Sequence, residues 1–301
     1  MQMDFTGCGT ALVTPFRRDG GLDEAALRSL VNWQIESGVD FLFPCGTTGE
    51  AVTLSDVEWL RVVEITVEAA QARVPVVAGC THNSTTEAVA KAKKLAQVRG
   101  LDGIVTANPY YNKPGQEGQY QHFMAIAEAV ELPVILYNIP GRTAANLEPA
   151  TALRLAELAN VIGIKESSGN LAQITELITA APKGFKVFAG DDGLALPVLA
   201  LGGCGLVSVA SNAIPAEISR MVRSALANDW AAARAVNQRF FALMQALFRE
   251  PSPAPIKAVL AMLRRSEDVL RLPMVPVSDG LRRKLEQLLN EAGLMESAVR
   301  A

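Results

Sequence analysis

The run Val161-Ile162-Gly163-Ile164-Lys165-Glu166 decides the fold. Its first four residues are apolar without alternation, the pattern of a parallel strand buried on both faces rather than of a strand with one wet side. Short runs of the same kind recur around it, at Cys8 to Val13, Phe41 to Pro44, Pro75 to Ala78, Gly103 to Val105, Pro133 to Tyr137, Lys186 to Ala189 and Gly205 to Val209. Between them lie amphipathic segments such as Asp23 to Ser37, Ser55 to Ala72, Thr85 to Val98, Glu117 to Ala129 and Leu171 to Ala180, several opening on Ser, Thr or Asp as caps. Eight strand-helix units predict an α/β chain closed into a (β/α)8 TIM barrel rather than an open doubly wound sheet. No GxGxxG follows the first strand, so the dinucleotide-binding alternative lacks its phosphate turn.

After about residue 228 the pattern turns to helices alone: Trp230 to Leu247, a segment entered through Pro251, Pro253 and Pro255, and a last helix near Leu281 to Ala292. No low-complexity tract or Gly/Ser linker intervenes. The expected organisation is therefore a barrel over residues 1–228 with a C-terminal helical appendix, residues 229–301, packed on it.

Composition narrows the function. Of 301 residues, 50% are hydrophobic and 20% charged, enough apolar material for a large core. Lys and Arg number 28 against 31 Asp and Glu, a net of -3 that offers no basic field to a nucleic acid. Met1 to Thr10 lacks the pattern of a secretory signal, and no apolar run is long enough for a membrane span, so a cytoplasmic protein is expected. Cys8, Cys45, Cys80 and Cys204 form no CxxC pair and read as reduced core thiols. With only His82 and His122, no metal site is expected; the tandem Asp191-Asp192 lacks the further carboxylates or phosphate that Mg2+ requires.

In such a barrel the working residues sit where strands end and loops begin. Those positions carry Gly46-Thr47-Thr48-Gly49-Glu50, Asn108-Pro109-Tyr110-Tyr111-Asn112, Tyr137-Asn138-Ile139-Pro140-Gly141-Arg142, Lys165-Glu166-Ser167-Ser168-Gly169, Gly190-Asp191-Asp192 and Val207-Ser208. Lys165 continues an apolar strand, which places its amine at the inner mouth of the barrel. Burial favours the neutral form of an amine, and a neutral lysine adds to ketones to give a Schiff base that serves as an electron sink. The competing reading pairs Lys165 with Glu166 or Asp191. Tyr137, ending the neighbouring strand, is suited to proton transfer, with Thr47, Thr48 and Tyr111 supplying hydroxyls for a relay; a buried tyrosine that merely satisfies a carbonyl, and a GTTG that is merely a turn, remain open. Backbone N–H groups of Thr47 and Thr48 in a glycine-flanked turn suit a carboxylate. The planar fork of Arg142 suits a second carboxylate, or a surface ion pair. His122 reads as structural.

Taken together, GTTGE at Gly46 to Glu50, NPYYNKP at Asn108 to Pro114, YNIPGRT at Tyr137 to Thr143, GIKE at Gly163 to Glu166 and GDD at Gly190 to Asp192 resemble the dihydrodipicolinate synthase family, over nearly the whole chain from Gly9 to Gly293. The lysine, the tyrosine and the GTTGE turn are shared with the wider group of pyruvate-dependent Schiff-base lyases. The resemblance implies that pyruvate condenses with Lys165 and that the enamine attacks aspartate semialdehyde, giving 4-hydroxy-tetrahydrodipicolinate on the route to diaminopimelate and lysine, with no cofactor. It implies that Tyr137 moves the proton through Thr47 and a Tyr111 contributed by the neighbouring subunit. Thr48, Val207 and Gly190 then belong to the substrate-binding set, and Arg142 grips the semialdehyde carboxylate. A buried arginine deprived of its anion penalises a sugar aldehyde, which separates the synthase from the alternative, an aldolase for N-acetylneuraminate or a 2-keto-3-deoxy sugar acid. A third possibility is a silent barrel that only binds a keto acid. The shared tyrosine implies a tight dimer and, by family likeness, a dimer-of-dimers tetramer. In some family members lysine inhibits at a cleft between paired subunits. Asn83, Glu87 and Tyr110 match that effector site, whereas Ala51, Asp56 and Trp59 depart from it, so both outcomes stay open.

Overall fold

The computed structural model describes residues 5–295, so the ends of the two expected regions, residues 1–4 and 296–301, lie outside the described residues. Every predicted run is a strand of one parallel sheet: β1 (Gly7–Ala11), β2 (Phe41–Phe43), β3 (Val77–Gly79), β4 (Gly103–Ala107), β5 (Val134–Asn138), β6 (Val161–Glu166), β7 (Lys186–Ala189) and β8 (Gly205–Ser208). They pair in chain order, with β8 returning to β1. The remaining seam, between β2 and β3, is closed by a bridge from Leu42 to Val76 and by Leu42 N–H donating to Pro75 O at 2.9 Å.

Several ends differ from the sequence reading for reasons of hydrogen bonding. Pro75 has no N–H to give a ladder, so β3 begins two residues later than the apolar run suggests. β6 runs on through Lys165 and Glu166 because Lys165 pairs with Tyr137 on one side and Phe188 on the other, whatever its side chain.

Two apolar bodies hold the barrel. Its interior is filled by Phe5, Phe41, Phe43, Ile135, Phe188, Val207 and smaller neighbours, with Phe41 meeting Phe5 and Phe188 edge-on at 6.2 and 5.6 Å. Gly9 makes this possible, since a Cβ there would overlap the Phe41 ring. The second body lies between the sheet and an outer layer of α1 (Glu24–Glu36), α2 (Asp56–Ala70), α3 (Thr85–Leu95), α4 (Gln116–Glu128), α6 (Pro149–Leu155), α7 (Leu171–Ala180), α8 (Ala195–Ala200) and α9 (Pro215–Leu226), while α5 (Pro140–Thr143) is a single turn after β5. Predicted openings act as caps: Asp23 accepts from Ala26 N–H, and Ser55 with Glu58 forms a capping box. Beyond β8 and α9, α10 (Trp230–Ala246) packs on α9 and α12 (Asp279–Glu291), while α11 (Ala254–Met262) packs on α12 and is almost wholly buried.

Candidate active site

The strand ends converge on a cavity of about 490 Å³ whose walls include Phe43, Gly46, Thr47, Tyr137 and Arg142. Lys165 is not one of its walls but lies against two of them, Phe43 and Tyr137. Residue alternation turns Lys165 inward and Glu166 outward. Only 4% of Lys165 is exposed, and its Nζ lies 4.2 Å from the centre of the Tyr137 ring and 5.3 Å from that of Phe43. The ion-pair reading of this lysine fails. Glu166 accepts from Asn138, Gln173 and Ser168 N–H on the opposite face, Asp191 accepts from Gly193 N–H, and among the described residues Lys165 makes no ion pair. Gly190 closes in behind it, where a Cβ would stand 3.0 Å from Lys165 Cε. Val207 faces the barrel interior and is buried.

The Gly46–Glu50 turn is built to leave donors open. Gly49 N–H donates to Gly46 O and Glu50 N–H to Thr47 O, both at 3.1 Å, while Thr14 Oγ1 donates to Gly49 O at 2.7 Å. Among the described residues no protein group accepts from the N–H of Thr47 or Thr48, so the turn presents two adjacent donors of the kind that hold an anion. Thr47 lines the cavity and Thr48 is buried beside it.

Arg142 sits in the single helical turn α5 rather than in an open loop. It forms no ion pair among the described residues; its Nη2 donates to Ser252 O at 3.3 Å. Tyr111 is not brought into its own chain's cavity. It is 87% exposed, and its φ of 77° is left-handed, a costly conformation for a side chain other than glycine. The same cavity extends to Glu87 and Tyr110, together with Ala51, Asp56, Trp59, His82 and Lys91. Lys91 lies 4.5 Å over the Trp59 ring and 3.5 Å from Asp56. Asn83 is not a wall of the cavity; its carbonyl accepts from Asn112.

Sequence reasoning assigned nothing to the last residue of the turn. Glu50 is buried and left-handed (φ 51°), and its carboxylate is paired with Lys257 of α11, which is fully buried. Breaking one side of such a pair typically costs about 3–5 kcal/mol. Desolvation pushes the Lys257 amine below its ordinary pKa, and Glu50 pulls it back. Nearby, the Arg271 guanidinium holds the Glu58 carboxyl down to a pKa of about 2. Two partners 207 residues apart leave no spacing signal in the chain. Elsewhere, Asp192 is consumed by Ser208 and by the N–H groups of Val209 and Ala210, and among the described residues no cluster of His, Cys, Asp or Glu is placed to hold a metal.

Comparison with known proteins fits this geometry. The model of the dihydrodipicolinate synthetase family matches residues 4–292. A 4-hydroxy-tetrahydrodipicolinate synthase of Koribacter versatilis is 60% identical over 98% of this chain and 99% of its own, and one of Acidobacterium capsulatum is 60% identical over 97% of each. The crystal structure of the chloride-inhibited dihydrodipicolinate synthase of Acinetobacter baumannii, complexed with pyruvate, superposes with a TM-score of 0.94 at 41% identity, over 97% of this chain and all of that one. A barrel with a lysine at the end of β6, a tyrosine beside it and a GTTGE turn across the cavity thus comes with full-length similarity: the chain belongs to the dihydrodipicolinate synthetase family.

Proposed function

We propose that this chain condenses pyruvate with L-aspartate 4-semialdehyde to 4-hydroxy-tetrahydrodipicolinate, on the route to diaminopimelate and lysine. The observation that carries the reading is Lys165, buried at the end of β6 with no carboxylate partner and packed against Tyr137 and Phe43, two walls of a cavity that is also lined by Thr47, whose turn leaves the N–H groups of Thr47 and Thr48 open. Lys165 Nζ adds to the ketone carbon of pyruvate and water leaves, giving the imine. Thr47 and Thr48 hold the carboxylate, with Gly190 and Val207 shaping the rest of the pocket. Tyr137 takes a proton from the methyl carbon, and the enamine attacks the aldehyde carbon of the semialdehyde, whose carboxylate Arg142 holds. The amino group of the semialdehyde then displaces Lys165 from the imine carbon and closes the ring. No step calls for a cofactor.

Tyr137 relays its proton through Thr47 and through a Tyr111 supplied by a second copy. The exposed Tyr111, at 87%, supports this, as does the exposed Val52 at the cavity. A tight dimer is the smallest competent unit, and a dimer of dimers is the assembly family likeness favours. Among the described residues, those up to 228 make the working barrel and those from 229 onward the helical appendix packed on it. Among the described residues no helix is long and apolar enough to cross a membrane. The test is pyruvate consumption by purified protein offered aspartate semialdehyde, N-acetylmannosamine or glyceraldehyde in parallel, with Lys165→Ala as control. Consumption confined to the semialdehyde and lost in the control is expected; consumption with a sugar aldehyde would move the chain to the aldolase reading.

A further inference from the structure

We propose that Glu50 and Lys257 are positioning residues for pyruvate capture: through their buried ion pair, the C-terminal helical region sets the shape of the turn whose N–H groups hold the pyruvate carboxylate. The inference rests on the function proposed above. Two sets of bonds fix the last two residues of the turn. From just past β1, Thr14 Oγ1 donates to Gly49 O at 2.7 Å. At the exit, both Glu50 carboxylate oxygens are engaged from the appendix, one by Lys257 Nζ and the other by Arg271 N–H at 3.1 Å. Lys257 in turn donates to Val269 O at 2.9 Å and rests 4.2 Å over the Phe16 ring, so its ammonium has one position. The Arg271 guanidinium continues the clamp past the turn, donating to Gly20 O, Thr53 O and the Glu58 carboxylate.

Stability alone does not account for this arrangement. Two ions taken out of water regain little more than their desolvation cost, and an apolar pair of similar volume usually serves folding as well. What the pair supplies is register: it holds Glu50 in a left-handed conformation that any unrestrained glutamate would leave, and the adjacent Thr47 and Thr48 N–H groups inherit their direction from it. The appendix also reaches the other side of the cavity, where Ser252 O accepts from Arg142. Both carboxylate grips are thus backed from residues 252–271.

The test separates positioning from folding by its form. Schiff-base formation is followed by borohydride trapping across a pyruvate titration in the wild type, Glu50→Gln, Lys257→Met, and the double variant Glu50→Leu/Lys257→Met, whose apolar pair removes the unpaired charge. A loss of folded protein lowers the plateau and leaves half-saturation unchanged; a misdirected carboxylate grip raises half-saturation. The expected result is a rise of tenfold or more in half-saturating pyruvate in all three variants, with half-saturation by the semialdehyde changed less than twofold and the double variant melting no lower than the single ones. A double variant with wild-type half-saturation would overturn the proposal. If the double variant does not fold, Glu50→Gln decides by the same criterion. A wild-type protein that traps no pyruvate at any concentration sinks the proposed function first, and this inference with it.

Discussion

Replacing Gly190 by alanine tests how tightly Lys165 is seated. Gly190 follows β7 and its N–H donates to Glu166 O at 2.8 Å, so its backbone is pinned. A methyl group there would overlap Ser167 Oγ and stand 3.0 Å from Lys165 Cε and 3.1 Å from Glu166 O. Ser167 Oγ is buried without a hydrogen-bond partner, so it can rotate away without losing a bond. The Glu166 carbonyl cannot move, because it belongs to the ladder. The strain therefore passes to Lys165 Cε, which must retreat by about 0.5–1 Å to reach an ordinary carbon-carbon contact. Displacing a reacting amine by about 1 Å costs up to about 100-fold in rate, while overpacking costs about 1–3 kcal/mol of stability. Gly190→Ala should thus form the pyruvate imine about 10- to 100-fold more slowly at saturating pyruvate, with melting lowered by a few degrees. Quenched borohydride trapping and a thermal melt measure both. Adding Ser167→Ala should recover stability and leave trapping slow. A Gly190→Ala protein that traps pyruvate at the wild-type rate would falsify the reasoning, since Lys165 would then have room that the packing denies it.

Three further outcomes are expected. Tyr111→Phe should lower turnover about 100-fold or more, and mixing it with inactive Lys165→Ala protein should restore part of the activity if subunits exchange hydroxyls across an interface; no restoration after verified subunit exchange would refute the shared relay. Arg142→Leu should raise half-saturation by the semialdehyde about 10- to 100-fold while leaving pyruvate trapping intact, as expected for loss of a charged hydrogen bond to the second substrate only; equal damage to both steps would contradict that division. Burial holds His122 at a pKa of about 4 against an ordinary 6.5, with Nδ1 facing Thr85 Oγ1 at 2.9 Å and Nε2 buried without a partner. The unfolded chain is protonated there first, so stability is full above pH 6.5 and declines by on the order of 3 kcal/mol as pH falls toward 4; His122→Gln should flatten that decline, and parallel pH profiles of melting for the two proteins would rule the assignment out.

How much of this was legible depended on whether the signal was local. The unbroken apolar run before Lys165 announced a strand buried on both faces, and the same pattern recurring along the chain announced the barrel, because strand burial is written in consecutive residues. The meeting of Tyr137 and Lys165 followed from one rule, that parallel strands present their ends on one face. Details of hydrogen bonding were less visible: β6 continues through two charged residues because a ladder ignores side chains, and Arg142 occupies a helical turn too short to show a period. The Glu50–Lys257 pair was invisible, since nothing in GTTGE or in the segment after Pro255 says that the two would meet. Tyr111 was legible as a hydroxyl near the site, yet it is exposed and is not a wall of its own chain's cavity, a placement that no local sequence pattern announces.

The central claim is that Lys165 is the nucleophile toward pyruvate. Incubating the protein with pyruvate, reducing with borohydride and mapping the peptides by mass spectrometry tests it most directly. The account predicts one carboxyethyl group on the peptide containing Lys165, absent in Lys165→Ala and reversed by aspartate semialdehyde added before the reductant. An adduct on another lysine, or none at all in a folded protein, would contradict it.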